Sequence, residues 1–178
     1  MYIIHNGPYA QDENLHAYSM MAPRIGTPSS PLRLAVLISG AGSGMRALLD
    51  QESRMDSPCF ITSVVISDRK GAGGLSIASE YGIATEAVPL DDVAEDSQLS
   101  RRHAHEVALQ SVLERYEIEV IILSGYMRIL TSDFLKSWQG KVLNIHPSLL
   151  PLSPYSSLGS HLDGLLCFLH KHHYLNYA

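Results

Sequence analysis

The chain has 178 residues, of which 46% are hydrophobic and 17% charged, and its formal net charge is -5. This length and hydrophobic content favour one domain with a packed core and exclude global disorder. The mild acidity argues against a protein that wraps nucleic acid, because such proteins carry clustered Lys and Arg. No apolar run reaches the ~20 residues of a membrane span, so we expect no membrane association.

The two cysteines, Cys59 and Cys167, form neither a CxxC pair nor a disulfide framework. Free thiols are typical of a reducing compartment, and the N-terminus lacks the pattern of a signal peptide. We therefore expect a cytoplasmic protein.

Residues 1–31 are polar, irregular and rich in proline, glycine and serine towards their end. They show neither helical nor strand periodicity. We interpret them as a flexible N-terminal extension or an upstream translation artefact, and we expect the ordered domain to begin at Leu32.

Five alternations of strand and helix follow. Residues 32–38 form a short apolar run that ends before Gly40, which predicts a buried parallel strand. Further strands are predicted at residues 60–67, 84–88, 120–126 and 142–146. Helices are predicted after Ser43, at residues 75–81, at residues 97–116 and after the capping residue Thr131. Four residues of the third helix are expected to face the protein core: Ala104, Val107, Ala108 and Val112. This order predicts an α/β fold with a Rossmann-like, doubly wound and mostly parallel sheet.

A glycine-rich loop, Gly40-Ala41-Gly42-Ser43-Gly44, joins the first strand to the first helix. Glycines let backbone N–H groups approach an anion, and the helix N-terminus adds partial positive charge, so a phosphate suits this loop. The third glycine of a dinucleotide fingerprint and the GK[ST] of a nucleotide triphosphatase are both missing. A tight turn that binds no ligand remains the alternative.

Two polar residues, Asn144 and His146, end the last predicted strand, which looks central in the sheet. Being two residues apart, they should leave the same face of the sheet, at the edge where open α/β sheets bind ligands. An amide and an imidazole together suit the stabilisation of an oxyanion and the transfer of a proton. The alternative is a pair of polar residues that only closes a strand.

Four sequence segments in the expected order resemble one family. The run NIHPSLLP at residues 144–151 resembles the shared motif of the formyltransferases that use 10-formyltetrahydrofolate. GYMRIL at 125–130 and LISGAGS at 37–43 resemble the phosphoribosylglycinamide branch, and SDR at 67–69 fits its second strand. The resemblance covers residues 32–151, which it predicts to be a formyltransferase α/β domain.

The resemblance implies transfer of a formyl group from 10-formyltetrahydrofolate, as cosubstrate, to the amine of glycinamide ribonucleotide, without a metal. It implies that the ribonucleotide phosphate is held by Gly42, Ser43 and Gly44, although the family usually has Asn in place of Gly44. Asn144 and His146 are implied as the catalytic residues. The implied folate-binding residues are Arg102, Met127, Arg128, Ile129 and Leu130. By residue type alone, Arg102 also fits a solvated helix face, and residues 127–130 fit a strand end with a turn.

Residues 152–178 leave the family pattern and form an atypical tail. The Asp that tunes the catalytic His in the family has no clear counterpart, since Asp163 comes too early. We therefore expect weak or absent catalysis, marginal stability, an exposed sheet edge, and a monomer or weak homodimer. The alternatives are another formyltransferase or a deformylase that uses 10-formyltetrahydrofolate, or a non-catalytic protein that binds a phosphate ligand.

Overall fold

The computed structural model describes residues 2–3, 23–90 and 98–145, with backbone alone at residues 2–3 and 98–100. Its six strands are β1 (Tyr2–Ile3), β2 (Leu32–Ile38), β3 (Phe60–Ser67), β4 (Ala84–Ala87), β5 (Val120–Ser124) and β6 (Val142–Ile145). Its helices are α1 (Ser43–Glu52), α2 (Gly73–Glu80), α3 (Gln98–Arg115) and α4 (Ser132–Ser137).

The strands form one sheet in the order β1-β6-β5-β2-β3-β4. Strands β2 to β6 are parallel, and β1 pairs antiparallel with β6. The predicted mostly parallel, doubly wound sheet is therefore confirmed. The chain grows outward from β2 through β3 to β4, and then crosses back through α3 to β5 on the other side of β2. This reversal creates a crevice beyond the carboxyl ends of β2 and β5, which is where such sheets bind ligands.

Both faces of the sheet are covered, because successive residues of each strand point to opposite sides. Val36 and Ile38 pack with α1 and α2 on one face. Ala35 and Leu37 pack with α3 and α4 on the other. A strand buried on both faces needs the continuous apolar run that β2 carries.

The inward face of helix α3 differs in part from the sequence prediction. Val112 is buried and Ala108 packs against the core, as expected, but Val107 has 55% of its surface exposed. Leu109 and Leu113, which were not predicted, are also buried. The buried face also includes two polar residues, His105 and Glu106. This part of the prediction was wrong because apolar periodicity assumes that polar residues face outward, and these two have hydrogen-bond partners inside the protein.

The end of β5 and the position of β6 differ from the sequence prediction. Strand β5 ends at Ser124 rather than at residue 126, because Gly125 turns the chain with a φ of 68°. Strand β6 lies next to the edge strand β1, so the expectation of a central position was wrong. The described part of β6 ends at Ile145, and His146 lies outside the described residues.

Part of the N-terminal segment contacts the domain. The Arg24 side chain donates to both carboxylate oxygens of Glu119, at 2.5 and 2.8 Å, and to the carbonyl oxygens of Ser30 and Pro31. Strand β1 pairs with β6, with Tyr2 opposite Asn144, so β1 is the outermost described strand on this side of the sheet. The expected exposed sheet edge stays a prediction. The division at residues 31 and 151 stays a prediction, and the tail at 152–178 lies outside the described residues. Among the described helices, none has the length and apolar character needed to cross a bilayer.

Candidate functional site

The crevice between β2 and β5 contains a cavity of about 430 Å³, which we call the switch-point pocket. Its lining residues come from the segment after β2, the segment after β3, and the ends of β5 and β6. They are Ser39, Gly40, Ala41, Gly42, Ser43, Gly44, Arg69, Ser124, Gly125, Met127 and Ile145. The glycine loop therefore lies at the edge of the sheet where the sequence placed it.

The N-terminus of α1 opens into this pocket. Gly42 is the residue before the helix and has a left-handed backbone, with a φ of 71° and no side-chain cap. A Cβ at Gly42 would lie 3.0 Å from the Cα of Gly74, whose N–H donates to the Gly40 carbonyl at 3.0 Å. Gly42 and Gly74 thus pack too closely for a side chain at either position. The N–H groups of the first turn of α1 form a partly positive end that suits a phosphate.

Gly44 lies close to the end of β5. A Cβ at this position would lie 2.7 Å from the Ser124 hydroxyl oxygen, and Ser124 is buried. A side chain at residue 44 therefore requires Ser124 to rotate. The three predicted phosphate residues, Gly42, Ser43 and Gly44, all line the switch-point pocket.

A second cavity, of about 250 Å³, lies between α3 and the loop after β5, and we call it the arginine pocket. It is lined by Leu90, Arg101, Arg102, His105, Glu106, Met127, Arg128 and Ile129. Four of the five predicted folate residues therefore surround one cavity. The fifth, Leu130, packs against the hydrophobic core instead. Met127 lines both cavities, so the two pockets share a wall.

That shared wall is part of the pocket loop, which we define as residues 125–131. Met127 and Ile129 each expose 74% of their surface, whereas Tyr126 and Leu130 pack inward. The backbone N–H of Met127 donates to the buried Ser39 hydroxyl at 2.8 Å. Large apolar side chains held outward on a fixed backbone form a surface suited to a flat, partly apolar ligand.

Arg128 connects the pocket loop to the end of β3. Its Nε donates to Oδ2 of Asp68 at 2.6 Å, and only 1% of the Asp68 side chain is exposed. About a third of the Arg128 side chain remains accessible. The ion pair therefore fixes a cation at the wall of the arginine pocket.

Two adjacent residues of α3 also bind the pocket loop. Nε2 of His105 lies 2.8 Å from the Tyr126 hydroxyl oxygen. The Glu106 carboxylate accepts from the N–H of Thr131 at 2.6 Å and from its hydroxyl at 2.5 Å. Thr131 in turn caps α4 by accepting from the N–H of Phe134, as predicted.

The environment keeps the His105–Tyr126 pair uncharged. Burial lowers the pKa of His105, and the Arg128 cation lowers it further, against smaller opposing effects of Asp68 and Glu106. Burial also raises the pKa of the Tyr126 phenol. Their hydrogen bond therefore joins two neutral groups at neutral pH.

Asn144 lies on β6, half buried, and pairs in register with Leu123 of β5. Leu143 packs on the α1 and α2 face and Val142 on the α3 and α4 face. Strand alternation therefore directs Asn144 to the α3 and α4 face. Its neighbour Ile145 lines the switch-point pocket, so Asn144 lies at the same edge of the sheet as the glycine loop.

No site role was predicted from the sequence for Ser39, Asp68, Arg69, His105 or Glu106, although the first three lie within the motifs that resemble the family. All but Arg69 are buried polar residues, and Arg69 brings a cation to the switch-point pocket. Asp68 and Arg69 directly follow a strand, which was an available signal, since residues after parallel strands lie at the ligand-binding edge. The burial of His105 and Glu106 had no such signal.

Residues 32–154 match the family model described as formyl transferase. The trifunctional purine biosynthetic protein adenosine-3 of Gallus gallus is 37% identical over 150 residues, which are 83% of this chain and 14% of that protein. The phosphoribosylglycinamide formyltransferase of Escherichia coli strain K12 is 35% identical over 134 residues, which are 75% of this chain and 59% of that protein. The chain thus spans less than two thirds of these relatives.

Solved structures show the same likeness. The phosphoribosylglycinamide formyltransferase of Brucella melitensis superimposes with a TM-score of 0.61 at 37% identity, over 77% of this chain and 67% of that one. The enzyme of the same name from Coxiella burnetii gives a TM-score of 0.60 at 33% identity, over 77% and 60% of the two chains. The structural comparison and the sequence comparison therefore both show similarity to phosphoribosylglycinamide formyltransferases.

Proposed function

The chain belongs to the formyl transferase family, and on that premise we propose that it transfers a formyl group from 10-formyltetrahydrofolate to the amine of 5'-phosphoribosylglycinamide. The reaction is a step of purine synthesis, in keeping with the names of the relatives in Gallus gallus and Escherichia coli.

One observation carries the proposal: two cavities of different chemistry meet at the carboxyl edge of the sheet and share Met127. The switch-point pocket has a glycine loop, a helix N-terminus and the cation Arg69, which suit a phosphate. The arginine pocket has three arginines and two exposed apolar side chains, which suit a flat ring system that carries carboxylates. A transfer between two substrates needs such adjoining sites.

In this proposal the two ligands occupy the pockets as follows. The backbone N–H groups of Gly42, Ser43 and Gly44 hold the ribonucleotide phosphate. Met127, Ile129 and the backbone around Leu130 hold the pterin. Arg128 lines the pterin pocket beside Met127 and Ile129, and Arg102 binds a folate carboxylate.

The chemistry is an acyl transfer. The ribonucleotide amine attacks the formyl carbon to form a C–N bond, and the carbonyl oxygen becomes an oxyanion. The amide of Asn144 donates a hydrogen bond to that oxyanion, which lowers the barrier. The bond from the formyl carbon to N10 then breaks, and N10 leaves with a proton supplied by His146. The amine gives its extra proton to solvent water, from which His146 is protonated again, so the number of protons is unchanged over the reaction. The role of His146 rests on the sequence motif.

The proposal also places the protein in the cytoplasm, as a monomer or weak homodimer that acts on small molecules without a metal. These points rest on composition and on the family resemblance.

The test is to incubate the purified chain with both substrates and to follow three products by mass spectrometry: formylated ribonucleotide, tetrahydrofolate and formate. The proposal expects formylated ribonucleotide and tetrahydrofolate in equal amounts. Formate without formylated ribonucleotide would show a deformylase. Binding of the ribonucleotide without either product would show a non-catalytic binding protein.

A further inference from the structure

Four buried polar side chains converge on the pocket loop. Ser39, Asp68, His105 and Glu106 are each at most 5% exposed, and each makes a hydrogen bond to the loop. These bonds come from the ends of β2 and β3 and from α3. Burying a polar group costs free energy unless the group has a hydrogen-bond partner. The concentration of four such groups around one loop therefore needs a physical explanation.

The two α3 residues are placed in a particular way. His105 binds Tyr126 and Glu106 binds Thr131, and these two loop residues flank the stretch 127–130 on either side. Two adjacent residues of α3 thus hold both ends of the stretch 127–130, which forms the wall between the two pockets. Arg101 and Arg102, which also line the arginine pocket, belong to the same helix.

Stability alone does not account for this arrangement. Among the described residues, Nδ1 of His105 and Oδ1 of Asp68 are buried without a hydrogen-bond partner. Unpaired buried atoms destabilise a fold, and apolar residues would fill the space at lower cost. Met127 and Ile129, the side chains that the loop presents, contribute little to the core because they are mostly exposed.

We propose that His105 and Glu106 are positioning residues that hold the stretch 127–130 at its two ends, so that the wall of the arginine pocket is formed before the folate cosubstrate binds. The inference rests on the proposed function for the identity of the ligand. The hydrogen bonds themselves are independent of it. A wall fixed beforehand raises affinity, because less conformational freedom is lost on binding.

The test uses the full chain and two variants. His105→Leu with Tyr126→Phe removes both partners of one bond, a change that is close to neutral for stability when shapes are kept. Glu106→Gln weakens the other bond with little change of shape. The control is Gln110→Leu on the same helix, because Gln110 accepts a 2.8 Å hydrogen bond from the Trp138 indole, away from the loop.

Two ligands are titrated by calorimetry, tetrahydrofolate and glycinamide ribonucleotide. The loop variants should bind tetrahydrofolate about fivefold to tenfold more weakly, as expected for the loss of one or two ordering hydrogen bonds. Their affinity for the ribonucleotide should stay within about twofold, and Gln110→Leu should change neither affinity. Equal weakening of both ligands, or unchanged tetrahydrofolate binding, would overturn the proposal.

Amide hydrogen exchange of the unliganded protein separates this inference from the proposed function. Exchange at residues 127–130 should be faster in the loop variants than in the wild type, and unchanged in Gln110→Leu. If the wild type binds neither ligand but this pattern appears, the proposed function fails and the positioning stands. If exchange at 127–130 is the same in all variants, the positioning role is wrong whatever binds.

Discussion

At the scale of single residues, the candidate site combines groups that the sequence motifs indicate with groups that only the fold brings in. The glycine loop was predicted from its position between a strand and a helix, and the family resemblance implied Gly42, Ser43 and Gly44, which line one cavity. Asp68 and Glu106 became visible only through their contacts. A local pattern predicts backbone geometry well, but it carries no information on which distant polar group will be its partner.

Asn144→Ala tests the oxyanion role. The side-chain amide is lost and the strand remains, so formyl transfer should fall about 100-fold or more, as when one oxyanion donor is removed. Ribonucleotide binding, measured by calorimetry, should stay within about twofold. Gln139→Ala removes the same kind of side chain just before β6 and should leave transfer unchanged. Transfer at the wild-type rate in Asn144→Ala would rule out this role.

Arg102→Ala tests recognition of a carboxylate in the arginine pocket. Loss of the guanidinium should weaken tetrahydrofolate binding about fivefold to tenfold, because a charge-assisted hydrogen bond is lost near solvent. Arg115→Ala is the matched control, since Arg115 lies on the same helix but pairs with Glu86. Equal effects of the two substitutions, seen in calorimetry, would mean that only the net charge matters.

At the scale of elements, the strands were predicted more closely than the helix faces. Strands β2 and β3 carry continuous apolar runs, because both faces of a parallel strand are buried, and their bounds came out as predicted. Helix α3 was predicted, and Val112 faces the core as expected, but Val107 is exposed and His105 is buried in its place. Its inward polar residues are held by the pocket loop, which lies elsewhere in the sequence.

The stability of the protein should depend on pH through His105. Burial lowers the pKa of His105 in the folded state, whereas the unfolded chain has the ordinary value of about 6.5. Below that pH the unfolded chain binds more protons, so the free energy of unfolding should fall as the pH drops from about 6.5 towards the folded-state pKa. Above about pH 6.5, His105 should contribute no pH dependence to the free energy of unfolding.

Urea unfolding between pH 5 and 8 measures this dependence. His105→Gln should flatten the decline below pH 6.5, and the matched control is His103→Gln, which replaces an exposed histidine on the same helix. A decline of the same size in the wild type and His105→Gln would show that other groups cause it.

At the scale of the whole molecule, apolar residues serve both the core and the candidate site, but in different places. Ile122 is completely buried in β5, and Ile129 exposes 74% of its surface on the pocket loop only a few residues later. The sheet therefore provides the stability, and the loops at its carboxyl edge remain free to present side chains to ligands.

Substitution by alanine at Ile122 and at Ile129 distinguishes a role in the stability of the core from a role in ligand binding. Ile122→Ala should lower the free energy of unfolding by about 2–5 kcal/mol, because it leaves a cavity in the core. Ile129→Ala should change it by less than about 0.5 kcal/mol and should weaken tetrahydrofolate binding. Urea unfolding and calorimetry measure the two effects. A large loss of stability in Ile129→Ala would place this side chain in the core.

The central claim is that two different ligands occupy two adjoining pockets at one edge of the sheet. Amide chemical shifts in the NMR spectrum of the full chain test it most directly, with each ligand added separately. Glycinamide ribonucleotide should shift the amides of residues 40–44 at the N-terminus of α1, and tetrahydrofolate should shift those of residues 127–130. Shifts at the same residues for both ligands, or shifts confined to other parts of the protein, would contradict the account.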